Sequence, residues 1–379
     1  MSKKALIITT VSGFVPQFEM NNVKIMQELG YEVHYASNYN MPHYGKDNSR
    51  LEGTGIIQHQ VDFVRSPFKL RQNLRAFKQL RQLEKKEQFE LVHCHTPMGG
   101  VLGRIVFGIL GSKKTKIMYT AHGFHFFKGA PIKNWLSFYP VEKFLSKWTD
   151  LLITINKEDY ERAKKAFHAK KVVYIPGVGV DVDKIAKVKV DTEVKRKEIG
   201  IDKDAILVLS VGELNLNKNH EIVIKALAKL QNEKIHYVIA GAGELEEKLR
   251  KLSKELNIEN QVHLLGFRSD VLELNKVCDI FVFPSIREGL SVSLMEAMAS
   301  GKPVVCSNIR GNRDLVNVNG GRLFETKDVK SVKSALQQLI QLSEEDLLEM
   351  GKFNLNFINK CSISVVEKLM IQEYKKLLR

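Results

Sequence analysis

Two glutamates in the stretch PSIREGLSVSLMEAMASGKPVV, residues 284–305, have the spacing to bind a hydroxyl-rich ligand. Glu288 lies in a glycine-containing turn after a predicted strand, and Glu296 follows within two turns of the start of a predicted helix capped by Ser291. A carboxylate accepts hydrogen bonds from neighbouring hydroxyls, and a half-buried glutamate without such partners is costly. The alternative is a salt-bridge partner at Glu288 and a helix-surface residue at Glu296.

Glycine-containing turns follow two other predicted strands of the same half, GELNLNKNHE (212–221) and GAGELEEKLR (241–250). Gly212 lets the backbone approach a phosphate, and Lys218 lies just before a helix whose free amides favour anions. Gly241 and Gly243 form a second turn into a helix, although tight turns of this kind use glycine in any case. Two such turns, one with a lysine in reach, predict that the region binds a nucleotide phosphate.

The elements that must position these residues alternate between strands and amphipathic helices. This alternation indicates an α/β protein with largely parallel sheets, whose ligands lie at the carboxyl ends of the strands. The predicted strands of the first half are 4–11, 31–37, 56–64, 89–95, 116–122, 150–156 and 171–177. Those of the second half are 205–211, 236–241, 262–267, 279–285 and 302–307.

A polar segment, 180–200, separates the two series of elements. We therefore predict two doubly wound domains, 1–180 and 181–361, with a tail helix at 362–379 that returns to the first domain. A length of 379 residues agrees with two domains of ordinary size. The N-terminal MSKKALIITTVSG resembles a signal peptide, but a first strand explains it better because the fold pattern continues without a cleavage-like break.

The positive charge is concentrated in the first half of the chain. Residues 1–180 hold 27 Lys and Arg against 14 Asp and Glu, a net charge of +13, whereas the remainder carries +2. Such a field favours anionic partners: lipid headgroups, nucleotide phosphates or nucleic acid. The four cysteines have no paired spacing, which is typical of a reducing compartment, and no apolar run is long enough to span a membrane.

The segment 67–86 is predicted to form a basic amphipathic helix. Leu70, Leu74, Phe77 and Leu80 form one stripe beside a row of arginines and lysines. A helix of this kind can lie on an anionic membrane surface. The alternative is a packed apolar stripe beneath a solvated charged face.

Two short patterns resemble metal sites. In HCH (93–95), strand alternation places His93 and His95 on one face, which favours a strand end facing an interdomain cleft over a metal site. The other, DVD (181–183), lies in the linker rather than after a strand, and we interpret it as solvated charge.

Together these motifs resemble one known family. The segments EGLSVSLMEAMASGKPVV, VGELNLNKNH and IAGAGE are similar to the donor-binding domain of family-four retaining glycosyltransferases of the GT-B fold. The Glu288/Glu296 pair matches the Glu-x7-Glu motif of that family. The first-half segments SGFVPQF, HCHTPMGG and YTAHGFHFFKGAP resemble its capsule and exopolysaccharide branch, which builds glycans on polyprenyl-diphosphate lipids. The resemblance implies two Rossmann-like domains facing each other across a cleft.

The resemblance also assigns roles to individual residues. Glu288 would bind the hydroxyls of the donor sugar and Glu296 those of the ribose, while Lys218 would neutralise the departing diphosphate. The remaining donor contacts would come from backbone or strand-end positions: Gly13, Gly212, Gly241, Gly243, Phe267, Arg268, Gly289 and Leu290. His122 would point at the sugar, the alternative being an ordinary core histidine. The aromatic run FHFF (124–127) that follows is either part of the core or a contact for the acceptor, and we predict acceptor contacts at Phe124, His125 and Arg104.

One departure from the family pattern concerns the diphosphate. Many relatives carry an arginine directly after the glycine equivalent to Gly212, where this chain has Glu213. Lys218 would then carry more of the leaving-group charge. No carboxylate is placed as a nucleophile on the reactive face of the sugar, so we expect front-face retention without a covalent intermediate. The resemblance also implies that the reaction needs no metal or other cofactor.

The sequence therefore predicts a retaining transferase of a hexose or N-acetylhexosamine from a UDP-sugar to a lipid-linked acceptor. It would work at the cytoplasmic, inner face of the cell membrane as a peripheral protein. The partners would be the nucleotide sugar and the acceptor at an anionic membrane surface, with no nucleic acid. One rival function is a UDP-sugar 2-epimerase of the same fold, but the Glu-x7-Glu match argues against it. The other is a nucleic-acid-binding protein, suggested by the net charge, but the sequence contains no recognisable nucleic-acid-recognition module.

Overall fold

The chain forms two compact units in the computed structural model, which describes residues 3–45 and 47–378. The first unit comprises the residues up to Val178 together with those from Val366 onward, and the second is Gly179–Val365. The predicted domain boundaries lie after residues 180 and 361. Residues 1 and 2 of the predicted first domain and residue 379 of the predicted tail helix lie outside the described residues.

The first unit is built on a seven-stranded sheet in which every neighbouring pair is parallel. Its strands are β1 (Lys3–Ile8), β2 (Tyr31–Ser37), β3 (Ile57–Gln60), β4 (Leu91–Cys94), β5 (Lys116–Ala121), β6 (Leu151–Thr154) and β7 (Lys171–Tyr174). They lie in the order β3-β2-β1-β4-β5-β6-β7, so the chain reverses its direction of progress at β1. Loops that bind ligands gather at such a reversal in open parallel sheets.

Helices connect these strands. They are α1 (Met20–Glu28), α2 (Leu70–Lys86), α3 (Pro97–Gly103), α4 (Ile132–Leu145) and α5 (Lys157–Ala166). Two π-helical segments interrupt the pattern, Val15–Glu19 before α1 and Arg104–Ile109 after α3. Such segments are rare and frequently occur at functional sites.

Both faces of this sheet are buried. Strand alternation sends Leu6 and Ile8 into one core and Ala5 and Ile7 into the other. The second core also contains Val366, Met370 and Tyr374 of the last helix. The predicted return of the tail helix to the first domain is therefore confirmed.

The second unit repeats the architecture with six parallel strands in the order β10-β9-β8-β11-β12-β13. Its strands are β8 (Ile206–Val211), β9 (Ile235–Ala240), β10 (Val262–Leu264), β11 (Ile280–Phe283), β12 (Val304–Ser307) and β13 (Gly321–Phe324). The helices from this point of the chain are α6 (Val182–Ala186), α7 (Thr192–Glu198), α8 (His220–Leu230), α9 (Glu246–Glu255), α10 (Val271–Val277), α11 (Val292–Ala299), α12 (Asn312–Leu315), α13 (Val329–Ile340), α14 (Glu344–Ile358) and α15 (Ile363–Leu377).

The structure corrects the prediction at one strand and bears on the alternatives for α2. Strand β13 was not predicted, because Gly-Arg-Leu-Phe has only two apolar residues and none that is β-branched. Of the two alternatives for α2, the packed stripe does not hold for the first half of the helix, since Leu70 and Leu74 are 76% and 53% exposed. The helix packs instead through Ala76, Leu80 and Leu83, which lie closer to its C-terminal end.

Two further features concern the cysteines and the helices. All four cysteines are buried and unpaired. Among the helices of residues 3–45 and 47–378, none is both long and apolar enough to cross a membrane.

Candidate active site

The structure brings two of the predicted donor residues into direct contact in the second unit. Lys218 Nζ lies 2.8 Å from Glu288 Oε1, although the residues are 70 positions apart. Lys218 follows β8 and Glu288 follows the adjacent strand β11, so both lie at the carboxyl edge of the sheet. The salt-bridge alternative for Glu288 therefore describes a real contact, and its partner is the lysine predicted to meet the diphosphate.

Lys218 is held along its length. Its aliphatic carbons run past Gly212, where an added Cβ would stand 3.2 Å from Cδ, and its ammonium group lies 4.8 Å from the centre of the Phe283 ring. A larger residue at position 212 would displace the lysine. Gly212 thus makes room for Lys218, and its predicted approach to a phosphate stays a prediction.

The turn that carries Glu288 is held by hydrogen bonds from residues that were not predicted as site residues. Asn217 donates from Nδ2 to the carbonyl of Arg287 at 3.0 Å, and Arg310 Nε donates to the carbonyl of Glu288 at 3.2 Å. Gly311 has a φ of +77°, and a Cβ there would lie 2.0 Å from the carbonyl oxygen of Gly289. These contacts are long-range, so no local sequence signal could have revealed them.

Glu296 is positioned by α11, which begins as predicted at the Ser291 cap, where the hydroxyl accepts from the amide of Leu294. Met295 and Ala299 of this helix are buried. Glu296 itself is half-buried, and burial raises the pKa of its carboxyl to about 7, partly offset by the charge of Lys184. The alternative of a solvated helix-surface residue does not fit this environment.

The carboxylate of Glu296 accepts no hydrogen bond from any residue in the described part of the chain. A half-buried carboxylate of this kind gains the most from hydroxyl donors supplied by a ligand. The predicted contact with ribose hydroxyls is therefore chemically reasonable at this position.

The glycines of the second turn have a packing role. A Cβ on Gly241 would lie 1.9 Å from the carbonyl oxygen of Gly212, and one on Gly243 would lie 2.5 Å from that of Leu214. The two turns are also joined by hydrogen bonds from the amides of Gly212 and Leu214. Contact between Gly241 or Gly243 and a phosphate stays a prediction.

Phe267 and Arg268, two of the predicted donor contacts, follow β10 and differ in their surroundings. Phe267 is 83% exposed. The guanidinium of Arg268 donates to Asp270 at 2.7 Å and to Glu198 at 2.5 Å, so its charge is already matched. Leu290, in the turn after Gly289, is buried. Glu213 is exposed, and its carboxylate accepts from the side-chain Nδ2 of Asn215 at 3.0 Å.

A second cluster of polar residues lies in the first unit around His122. Its Nε2 atom is 3.3 Å from Glu19 Oε1 and 3.1 Å from Nδ1 of His95, and its side chain is 21% exposed. Glu19 ends the π-helical segment before α1 and is almost fully buried. Glu19 is thus a site residue that the sequence analysis missed, since it is more than 70 residues from either histidine in the sequence.

Behind His122 the two histidines of HCH are fully buried and neutral. Burial lowers the pKa of His93 to about 3 and holds the pKa of His95 well below its usual value. His93 contacts the hydroxyl of Tyr374 and that of Thr120, each at 2.8 Å. The two imidazoles share one face as predicted, but their partners lie within the first unit's own core.

Glu19, His95 and His122 could together hold a divalent metal ion. Their ligand atoms all lie within 4.8 Å of one another, and two histidines with one carboxylate suit transition metals. A metal-bound histidine normally donates its second ring N–H to an acceptor, and Nε2 of His95 has no such partner among the described residues. The cluster therefore fits a hydrogen-bonded arrangement around His122 better than a metal centre.

Gly13, also predicted to approach the donor, makes a close contact of its own. Its amide donates to the carbonyl of Pro42 at 2.9 Å, and a Cβ at this position would lie 2.2 Å from the same oxygen. Glycine is therefore required here for the loops after β1 and β2 to meet.

Two of the three predicted acceptor contacts are wrong. Arg104 is buried, with its guanidinium 2.7 Å from Glu142 and stacked 4.1 Å above the ring of Tyr119. Phe124 is also buried and stacks on Phe126 in the core. Both errors arise because the loop aromatics and the helix after β4 pack inward, which their sequence does not show.

His125 is the third predicted acceptor contact and is half-buried. Its ring stacks on Phe138 with the centroids 4.6 Å apart, and its carbonyl accepts from Asn134 at 2.9 Å. The position leaves part of the side chain accessible, so an acceptor contact there stays a prediction.

Comparison with known proteins agrees with this arrangement. The sequence model described as "Glycosyl transferases group 1" matches residues 191–354, and that described as "Glycosyltransferase Family 4" matches residues 21–184. The Bacillus subtilis protein EpsD, which is named as a glycosyltransferase, is 36% identical over 91% of this chain and 89% of its own length. An Escherichia coli UDP-Gal:alpha-D-GlcNAc-diphosphoundecaprenol alpha-1,3-galactosyltransferase is 32% identical over 74% of this chain and 73% of its own.

The fold is also that of a solved structure. Anabaena HepE, crystallised in complex with UDP, superimposes with a TM-score of 0.79 at 18% identity and covers 99% of this chain and 100% of its own. With the two parallel sheets and the Glu288/Glu296 pair, these matches show that the chain belongs to the family-four glycosyltransferases of the GT-B fold, in their capsule and exopolysaccharide branch.

Proposed function

We propose that this glycosyltransferase moves a hexose or N-acetylhexosamine from a UDP-sugar to a polyprenyl-diphosphate-linked glycan, with retention and without a metal. The observation that carries the proposal is the contact between Lys218 and Glu288, with Glu296 on the helix that follows. A cation and two carboxylates at the carboxyl edge of one sheet match the needs of a nucleotide sugar, which presents phosphates and hydroxyls.

The proposed roles follow from the charges of these groups. Lys218 is the cation beside the site, so it would stabilise the diphosphate as the bond to the sugar breaks. Glu288 would then exchange part of its contact with Lys218 for hydroxyls of the sugar. Glu296 would accept from the ribose hydroxyls, because no protein donor in the described residues satisfies it.

Retention would follow from stabilising the departing diphosphate on the face that the acceptor attacks. Glu288 forms an ion pair with Lys218. A carboxylate in an ion pair is better suited to accept hydrogen bonds from the sugar hydroxyls than to attack the sugar as a nucleophile. His122, held by Glu19 and His95, is the most exposed member of the polar cluster in the first unit and would contact the sugar. Metal independence is part of the proposal, since Lys218 supplies the positive charge that a metal would otherwise provide.

The acceptor class rests on the relatives. The named substrate of the Escherichia coli relative is a diphosphoundecaprenol-linked sugar, and a Campylobacter jejuni relative, 30% identical, is named for a similar one. We propose the same class of acceptor here, which would bring the protein to the inner face of the cell membrane.

Helix α4 offers a surface for such a peripheral contact. Ile132, Leu136 and Phe144 are 74%, 72% and 53% exposed and recur along one side of the helix. Lys133 and Lys147 are exposed beside them. An apolar stripe flanked by lysines fits an anionic lipid surface, and vesicle flotation of the protein and of its Leu136→Glu variant would test the contact.

The central experiment measures UDP release from a panel of UDP-sugars with membrane lipid extract, with and without EDTA. Lipid-dependent release from one donor, unchanged in EDTA and lost in Glu288→Ala, would support the proposal and identify the sugar. Glu255→Ala, at an exposed glutamate at the C-terminal end of α9 and outside the predicted site, is the matched control and should retain activity. Sugar-nucleotide interconversion without an acceptor would instead indicate an epimerase, and an inverted anomeric centre by NMR would exclude retention.

A further inference from the structure

The first unit contains a cavity of about 590 Å³ that the predicted site residues do not line. Its walls come from the segment after β2, the segment after β3 and the first turns of α2. The residues with polar or charged side chains that matter here are Asn38, Asn40, Arg65, Lys69, Gln72 and Arg75. A cavity of this size accommodates a small-molecule headgroup.

The cavity is cationic. Arg65, Lys69 and Arg75 contribute three positive charges, and Asp62 contributes the single negative charge among its lining residues. Asp62 already accepts from Gln79 at 3.1 Å and lies 3.6 Å from Arg75, so its charge is largely matched. Arg65 and Lys69 have no acidic partner within 4.0 Å in the described part of the chain, which leaves both available to an anion.

The position of the cavity is that of a ligand site. The segments after β2 and β3 leave the carboxyl edge of the sheet, next to the loop after β1 that contains Gly13. Asn38 Nδ2 donates to the carbonyl of Phe63 at 2.9 Å and joins the two segments. The walls are therefore fixed by the sheet rather than by the surface helix alone.

An exposed apolar surface begins at the edge of this cavity. Phe68, Leu70 and Leu74 are 81%, 76% and 53% exposed, and they alternate in sequence with the lining residues Lys69 and Gln72. Apolar side chains exposed to this degree side by side mark a binding surface. The combination of a cationic cavity and an apolar border fits an amphiphile with an anionic head and a hydrocarbon chain.

We propose that this cavity binds the diphosphate of the polyprenyl-linked acceptor, with Arg65 and Lys69 on the phosphates and Phe68, Leu70 and Leu74 against the first isoprene units. The inference rests on the proposed function, because it places the acceptor named there. It also replaces the acceptor contacts assigned to Arg104 and Phe124, both of which are buried.

The test uses farnesyl diphosphate as a short soluble probe, with binding measured by calorimetry on the full chain. The double variant Arg65→Gln/Lys69→Gln should weaken binding by about tenfold or more, since hydrogen bonds to charged groups are the strong ones. Arg71→Gln/Lys78→Gln removes the same charge from exposed positions of α2 outside the cavity and should change binding less than about twofold. Phe68→Ser/Leu74→Ser should weaken farnesyl diphosphate but leave inorganic diphosphate unchanged.

The outcomes separate this inference from its rivals. Equal losses in both charge variants, or an unchanged KM for the lipid acceptor in Arg65→Gln/Lys69→Gln, would overturn it. Equal affinity of the parent protein for inorganic diphosphate and for farnesyl diphosphate would also overturn it. So would an Arg65→Gln/Lys69→Gln variant that loses binding to phosphatidylglycerol vesicles but keeps its affinity for farnesyl diphosphate. If UDP binds to the protein but farnesyl diphosphate does not, this inference fails and the proposed function stands. If both bind but no sugar is transferred from any UDP-sugar, the proposed function fails.

Discussion

Replacing Glu296 by glutamine should make the protein more stable and a worse binder of UDP. The folded chain raises the pKa of this carboxyl from 4.5 to about 7 because burial disfavours its charge. Between these values the folded protein binds more protons than the unfolded chain, so the free energy of unfolding falls as the pH rises from about 4.5 to about 7. At pH 8 the ionised carboxylate therefore opposes folding in full.

The magnitude follows from the displacement of the pKa. At about 1.4 kcal/mol for each tenfold change in proton affinity, the charge costs the folded state about 3 kcal/mol at most. Glu296 is half-buried, and screening by water reduces the expected gain in Glu296→Gln to about 1–2 kcal/mol at pH 8. For a domain of this size that gain raises the melting temperature by about 2–8 °C.

Scanning calorimetry of the full chain at pH 5 and pH 8 measures the stability, and titration calorimetry at pH 8 measures UDP affinity. Glutamine keeps one acceptor but loses the charge, so UDP affinity should fall by about tenfold. Glu255→Gln, at an exposed position at the end of α9, should change neither quantity. A stability gain that is equal at both pH values would refute the burial argument, and unchanged UDP affinity would refute the ribose contact.

Three further predictions concern packing and positioning. Gly241→Ala places a Cβ 1.9 Å from a carbonyl oxygen of the neighbouring turn, so urea unfolding should show a loss of about 1–3 kcal/mol in stability. In the control Gly45→Ala the added Cβ would lie 3.6 Å from its nearest neighbouring atom, and stability should not change. Glu142→Ala leaves the buried guanidinium of Arg104 without its partner and should cost about 3–5 kcal/mol; a change under about 1 kcal/mol would contradict the pairing. Glu19→Gln should lower kcat by about tenfold or more with the KM for the UDP-sugar unchanged, because it acts through a histidine rather than on the nucleotide; a rise in KM alone would contradict this role.

The parallel fold could be predicted from the sequence because it depends on local alternation. Strand β2 was predicted with its observed bounds, Tyr31–Ser37, since its apolar and β-branched residues end where the chain turns. Strand β13 was missed because Gly-Arg-Leu-Phe has only two apolar residues and none that is β-branched. For α2 the sequence left a membrane face and a packed stripe both open, and Leu70 and Leu74 are exposed. Helical periodicity identifies an apolar stripe, but it does not say which part of the stripe another element covers.

The predicted site shows the same division. Glu288, Glu296 and Lys218 were predicted from residue type, spacing and position after strands, all of which are local properties. Arg104 and Phe124 were predicted to contact the acceptor, yet both are buried. Whether a side chain at a strand end turns outward depends on its neighbours in space, which the local pattern does not contain.

The sequence by itself thus determined the two α/β domains, the family and the residues that carry the donor motif, because each is written in short stretches of chain. Only the tertiary structure decided that Lys218 meets Glu288 across 70 residues and that Glu19 lies against His122. It also decided that Arg65 and Lys69 line a cavity beside exposed apolar side chains. Such contacts are set by the order of strands in each sheet, since that order brings distant loops to one edge.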